Sequence, residues 1–420
     1  MNDFPIRTST GCQLKWAWST IYLNRQTTSS CHRVNQIKLN PDNFKNFHNL
    51  PEKINDRKLM LNGERPGNGC EYCFKIEDAG GFSDRQNHIG VAGITPQELL
   101  ENNSETIVTP TILEIYFNNT CNLNCLYCGP HFSSVWEKEF KKYGNVTNKK
   151  NELITNHKLK NFNDYGELTI QLWEWMRENS KYLKRFHILG GEPFYQKEFL
   201  DCLDHFENYP NPQCEFVIIT NLMVDDTRMD YYIERFKKLI SKRKLKGLQI
   251  TCSLDCWGPQ AEFIRTGLDL AQWQRNFEKL LQIKWIRLQI NHAVNVLSIK
   301  YMHELIDKII EWNKVKKIYT QYMTVMQPEC MNPDIFGGDL YKKDLEAIIK
   351  KLPSETTFES SIREYFIGIS KQIGVAQPNV TQIENLKIYL EEIDLRRNTN
   401  YKEYFPWLEE AFKIILDKTA

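Results

Sequence analysis

Cys121, Cys125 and Cys128 fall within eight residues, as Cys121-Asn122-Leu123-Asn124-Cys125-Leu126-Tyr127-Cys128. Three thiolates this close can converge on one soft metal centre, and thiolates suit an iron–sulfur cluster or zinc. A four-iron cluster on three cysteines leaves one iron open to a ligand from outside the protein. A zinc knuckle instead needs a distant fourth ligand such as a histidine. Spacing leaves both open. A second set, Cys12, Cys31 and the pair Cys70-x2-Cys73, supplies four thiols, enough for tetrahedral zinc or a complete four-iron cluster, with His32 as a replacement for Cys12. Of the 12 cysteines, Cys202, Cys214 and Cys252 read as packing residues, while Cys256 and Cys330 follow strand ends.

These residues need a scaffold. From about residue 110, short apolar runs alternate with longer helix-period stretches, which predicts repeated βα units and a parallel sheet. The runs predict strands over 112–117, 185–189, 215–220, 248–254, 286–291 and 317–324. Helices are expected over 168–184, 197–207, 228–242, 271–283 and 301–313, the last with Met302, Leu305, Ile306, Ile309 and Ile310 on one face. Six βα units rather than eight imply a partial (β/α)6 barrel, with chemistry at the C-terminal strand ends. The expected organisation is a cysteine-rich segment over 1–105, a barrel over 106–335 and a helical C-terminal extension over 336–420, with a linker at 103–106.

Composition narrows the class. The 420 residues are 41% hydrophobic and 25% charged, with a formal net charge of +1, as in an ordinary globular protein able to bury a large core. That balance offers no bulk signal for nucleic acid or membrane surface, and no basic stripe with interleaved aromatics stands out. No apolar run approaches the roughly 20 residues that cross a bilayer. The start Met1-Asn2-Asp3-Phe4-Pro5 lacks the basic, then apolar, form of a secretory signal, so a cytoplasmic location is expected. In a reducing compartment clustered cysteines favour metal over disulfides.

The C-x3-C-x2-C pattern with Tyr127 before its last cysteine resembles the radical S-adenosylmethionine (SAM) superfamily. The resemblance implies that Cys121, Cys125 and Cys128 hold a [4Fe-4S] cluster whose open iron binds SAM, cleaved on reduction to a 5′-deoxyadenosyl radical that abstracts hydrogen from a substrate. It continues in order along the strands. Gly190-Gly191-Glu192-Pro193 is similar to the family's GGEP motif near the SAM amino group. Thr220-Asn221 resembles a position facing the active site. Ser253-Leu254-Asp255 resembles the ribose-binding segment. Arg265, expected in the following helix, is a candidate for the SAM carboxylate, and Asn295 for the carboxylate or the ribose. Val325-Met326-Gln327-Pro328 falls where the adenine is met.

The N-terminal cysteines resemble the auxiliary-cluster segment of twitch (SPASM-like) radical SAM proteins. This implies a second [4Fe-4S] cluster on Cys12, Cys31, Cys70 and Cys73, though in the better-known members that unit follows the barrel. Trp16 and Trp18 would shield it or serve as core aromatics; Ser83-Asp84-Arg85 and 396–401 resemble further twitch-type elements without an assigned chemistry. The residues leave peptide modification, nucleoside or sugar dehydrogenation and carbon–carbon rearrangement open. Auxiliary-cluster relatives often act on peptides, so the resemblance leans toward a peptide, with flavodoxin or ferredoxin as the expected reductant. The alternative is a non-catalytic scaffold holding zinc at both cysteine groups.

Overall fold

The computed structural model describes residues 10–78, 80, 83–87, 107–158, 165–352 and 357–416. The expected linker at 103–106 lies outside them. The strands, in chain order, are β1 (Trp18–Tyr22), β2 (Thr27–Ser29), β3 (Ile37–Lys38), β4 (Ile112–Tyr116), β5 (Asn124–Cys125), β6 (Arg185–Leu189), β7 (Asn211–Thr220), β8 (Leu245–Ser253), β9 (Arg265–Thr266), β10 (Ile286–Val294) and β11 (Ile318–Thr324). All six expected strands form, as β4, β6, β7, β8, β10 and β11, several of them longer than their apolar cores.

The chain divides into two compact units: 1–118, 160–218 and 231–248 make the first; 119–159, 219–230 and 249–420 make the second. The fold is mixed α/β with a large, mostly parallel sheet. In the first unit the order is β3-β2-β1-β4-β6-β7-β8, with β1, β4, β6 and β7 parallel, β2 antiparallel to β1 and β3 antiparallel to β2. Register sets Thr20 beside Glu114 and Glu114 beside His187. Helices Gly166–Asn179 and Lys197–Asn208 flank these strands in sequence, and Phe186, Phe206 and Phe216 interlock with ring centroids 5.4–5.7 Å apart. Edge-on and tilted ring pairs of this kind add to area burial.

In the second unit the end of β8 lies beside β10, and β10 runs parallel to β11. The two-residue strands β5 and β9 pair antiparallel, with Cys125 opposite Arg265. Helix Leu270–Leu281 buries Trp273, Asn276, Phe277, Leu280 and Leu281 at helical spacing, and its Asp269 N-cap accepts from the Gln272 N–H. Trp312 from helix Met302–Asn313 packs on Phe277 at 4.6 Å. The tail is helical as expected, in Lys342–Lys351, Thr357–Val375, Val380–Arg397, Tyr401–Tyr404 and Trp407–Leu416. Among the described residues no helix is long and apolar enough to cross a membrane.

Two local features depart from the sequence reading. Strand β1 was not expected; all five of its residues are buried, so it shows none of the alternation that betrays a half-exposed strand. Arg265 is not helical. Helix Pro259–Ile264 ends before it, and Arg265 turns at φ −108° and ψ 59° into β9.

Candidate functional site

In the second unit the cysteine loop is pinned through its backbone. Four successive carbonyls each accept from a side chain outside the loop. Ser133 Oγ donates to Leu123 O at 2.7 Å, Arg397 Nη1 to Asn124 O at 2.9 Å, Trp136 Nε1 to Cys125 O at 2.7 Å and the Tyr389 hydroxyl to Leu126 O at 2.5 Å. Satisfied loop carbonyls need no water, so the loop holds one shape. Arg397 also meets Glu139 at 3.0 Å and Thr266 Oγ1 at 2.9 Å, tying β9 to the same support.

Two of the three sulfurs face donors. Cys121 Sγ lies 3.5 Å from the Leu123 N–H and 3.8 Å from Asn221 Nδ2; Cys125 Sγ lies 3.9 Å from Arg265 Nη1. Burial pushes the Cys125 and Cys128 thiols up, and for Cys128 the neighbouring Cys125 and Cys121 sulfurs push further. Thiols held up by burial and by one another become thiolates when a cation shares the site. Among the described residues no three His, Cys, Asp or Glu side chains converge tightly enough to hold a metal ion. The donor chemistry therefore fits a soft metal–sulfur centre, while the ligand set is gathered but not closed.

Behind the loop lies a buried ion-pair network. Asp255 accepts four bonds. Its Oδ1 takes Arg265 Nη2 at 2.9 Å and the Ala293 N–H at 2.9 Å; its Oδ2 takes Arg265 Nε at 3.0 Å and the Tyr127 hydroxyl at 2.6 Å. Burial opposes the Arg265 charge, yet the Asp255 carboxylate holds the guanidinium protonated well above its usual range. A carboxylate has about four acceptor positions, and here all are occupied within the protein. Asn295, fully buried, caps a turn: its Nδ2 donates to Ala293 O at 2.8 Å and its Oδ1 accepts from the Leu297 N–H at 3.0 Å. Ser253 is half-buried as the last residue of β8.

His292, also fully buried, contacts Leu254 O through Nδ1 at 2.6 Å and stacks on Tyr322 at 4.4 Å, a wall histidine. Cys256 and Cys330 are fully buried. An open cavity of about 360 Å³ in this unit is lined by Met326, Gln327, Glu329 and Asn332 among others, and includes two residues of the segment expected to meet an adenine.

In the first unit, Gly190 and Gly191 take φ +86° and +60°, and a Cβ on Gly190 would stand 2.3 Å from the Tyr116 ring. Only glycine meets both demands. The Gly190 carbonyl accepts from Gln196 Nε2 at 2.8 Å. Glu192 is fully buried and caps the short helix Pro193–Tyr195 by accepting the Phe194 N–H at 3.1 Å.

The N-terminal cysteines are gathered in the same unit. Cys31 acts electrostatically on Cys12, Cys70 and Cys73. Burial lifts Cys12 to about 12 and Cys70 to about 11. The Cys31 sulfur accepts from the Arg33 N–H at 3.4 Å. Ser83 and Arg85 both meet the Glu77 carboxylate, a partnership that spacing did not reveal. Trp16 packs with Cys12 and Cys70, and Trp18 with Cys12 and Cys31.

Sequence reasoning missed Glu114. It is 1% exposed in the middle of β4, bonded by Thr20 Oγ1 at 3.0 Å, with His32 Nε2 at 3.5 Å and His187 Nδ1 at 3.6 Å. Burial works against its charge, and His32, His187 and Thr20 outweigh it to hold the carboxyl below its usual range. The signal was present: one carboxylate inside an otherwise apolar strand.

No family model matches the chain, and no curated protein matches it. Among solved structures it matches Streptococcus suis SuiB bound to the precursor peptide SuiA, at 14% identity and a TM-score of 0.35, over 92% of this chain and 70% of that one. SuiB bound to S-adenosylmethionine matches at 13% identity and a TM-score of 0.36, over 84% and 70% of the two chains. Native anSMEcpe with bound AdoMet and the Kp18Cys peptide matches at 17% identity and a TM-score of 0.33, over 57% and 58%. These neighbours bind SAM or a peptide. At such distances the likeness assigns no activity to this chain.

Proposed function

We propose that this chain is a radical SAM enzyme acting on a peptide. The observation that carries the reading is the convergence of N–H donors from Leu123, Asn221 and Arg265 on the sulfurs of a backbone-pinned C-x3-C-x2-C loop. Donors at sulfur favour the thiolate state and tune a bound cluster. Cys121, Cys125 and Cys128 would hold a [4Fe-4S] cluster, which would supply the electron for reductive cleavage of SAM.

The chain's own residues position and exclude water. Asp255 is assigned to orienting Tyr127 and Arg265 rather than to the ribose, because its acceptor positions are filled. Ser253 remains the hydroxyl available to a ribose. Gly190 and Gly191 would bring backbone close to the SAM ammonium, with buried Glu192 holding the shape of their turn and Pro193 opening its short helix. Asn295 would fix the turn after β10 in the same capacity. The reading carries with it a partial (β/α)6 barrel, a twitch-like N-terminal unit with an auxiliary [4Fe-4S] cluster on Cys12, Cys31, Cys70 and Cys73, and reduction by a flavodoxin or ferredoxin. The peptide class follows auxiliary-cluster relatives and the peptides held by SuiB and anSMEcpe.

The test is anaerobic reconstitution with iron and sulfide, an iron count, and reduction by dithionite with SAM. The expected outcome is about eight irons per chain and 5′-deoxyadenosine that disappears in Cys121→Ala/Cys125→Ala/Cys128→Ala. A colourless, zinc-binding protein that forms no 5′-deoxyadenosine overturns the reading in favour of a scaffold.

A further inference from the structure

The end of β8, with β10 and β11, gives the second unit a sheet whose two faces differ. Alternation puts Ile250, Cys252, Leu288, Ile290 and Ile318 on one face, all fully buried. The other carries Gln249, Thr251, Gln289, Asn291 and Gln321, with Asn291 and Gln321 side by side in register. Sheets of parallel strands normally fill both faces with branched aliphatics. Here amides and a hydroxyl take one face, and hydrogen bonds link them into a ladder across three strands. Gln249 Nε2 donates to Thr251 Oγ1 at 3.1 Å and to Gln289 Oε1 at 3.0 Å. Gln289 Nε2 donates in turn to Asn291 Oδ1 at 2.8 Å and to Gln321 Oε1 at 3.1 Å. Each donor points the same way, so the ladder ends on two unspent amino groups. Among the described residues, Asn291 Nδ2 and Gln321 Nε2 have no partner. Both stand where the ladder opens: Gln321 is exposed and Asn291 half-buried, while Gln249 and Thr251 behind them are buried.

We propose that this ladder holds the main chain of the peptide substrate, with Asn291 and Gln321 donating to its carbonyl oxygens. The proposal rests on the reading of the substrate as a peptide. No ionised side chain belongs to the ladder, so it has nothing to balance a phosphate or a carboxylate; what it offers is N–H donors to neutral acceptors. Gln289 grips both outer amides by their oxygens and so turns their amino groups outward before anything binds. Less rotamer freedom is then lost on binding. An amide used in this way reads the main chain whatever side chains it carries. Met323, next on the same face of β11 and 47% exposed, gives those side chains an adaptable apolar neighbour. Ser253, the hydroxyl left for a ribose, follows Thr251 on the same face of β8 and puts the ladder on the SAM side of the sheet.

The probe is a random-sequence peptide library displayed on phage and panned against the full chain reconstituted with iron and sulfide. Selected peptides are then remade with single amide-to-ester replacements, which remove one N–H and weaken one carbonyl as an acceptor. The expected result is a dissociation constant raised roughly fivefold in Gln321→Met and in Asn291→Leu, with a similar loss at some ester positions. Should Asn291→Leu fail to fold, Gln321→Met decides, since it exchanges an exposed strand residue for an unbranched one of like length. A library that yields no binder, or binders that Gln321→Met leaves unmoved, overturns the proposal. Maltohexaose bound by wild type and lost in Gln321→Met, with no peptide bound, overturns it in favour of a polyhydroxyl ligand. The radical reading is decided separately, by 5′-deoxyadenosine formed from SAM and dithionite in wild type. Peptide binding that depends on Gln321 without that product removes the radical reading and leaves the ladder; the product with binding indifferent to Gln321 removes only the ladder.

Discussion

Asp255 and Arg265 look like two independent ligands in sequence, ten positions apart, and prove to be one bidentate pair. Both are buried, Asp255 completely. Removing one partner of such a pair strands the other's charge, whereas removing both leaves no uncompensated ion. Arg265→Met should therefore cost roughly 3–5 kcal/mol of stability, and Asp255→Asn/Arg265→Met should recover most of it in urea unfolding. A double variant no more stable than the single would dismiss the pair as the reason for the loss. The fork matters too. Lys at 265 keeps the charge but not the two parallel bonds, so Arg265→Lys should fall between wild type and Arg265→Met.

At the scale of elements, helix Val380–Arg397 supports the cysteine loop from more than two hundred residues away along the chain. Tyr389 near its middle and Arg397 at its C-terminal end hold the carbonyls of Leu126 and Asn124. Arg397 is also ion-paired with Glu139 of helix Ser134–Tyr143. The loop's shape thus depends on a tail that meets its backbone. Tyr389→Phe removes one buried hydrogen bond and should cost about 1 kcal/mol; Arg397→Met removes several and should lower the iron retained at Cys121, Cys125 and Cys128 after desalting. Iron content equal to wild type in Arg397→Met would show that the loop holds itself.

At the scale of the whole molecule, the buried histidines make stability depend on acid. His292 is lowered to about 4 by burial, with Arg265 adding to the effect, while Leu254 O and Asp255 work against it. The unfolded chain takes up a proton near pH 6.5 that the folded chain refuses until about pH 4. Folded stability therefore falls as pH drops through that window and is unaffected above it. The full loss from this one ring is roughly 3 kcal/mol. Global unfolding followed from pH 7.5 to pH 4 in wild type and His292→Phe, which keeps the ring against Tyr322, should show the slope flattening in the variant. Parallel slopes would assign the acid sensitivity elsewhere, His48 being the next buried ring held neutral.

By itself the sequence determined the six main strands from residue 110 onward and the helices between them, because apolar period is a local property that each βα unit carries in its own residues. It also singled out both cysteine groups and the Gly190–Gly191 turn, where type and spacing leave few readings. Tertiary structure decided the rest. Strand β1 was hidden because burial on both faces erases alternation. Arg265 left its helix because Asp255, Tyr127 and Cys125 met it from other segments. Asp255 is met by four donors from three places in the chain, none of them visible from its motif. Glu114 acquired meaning only through partners as distant as His187. Hydrogen bonds and ion pairs are saturable, so what a polar side chain has left to offer depends on neighbours that periodicity does not encode.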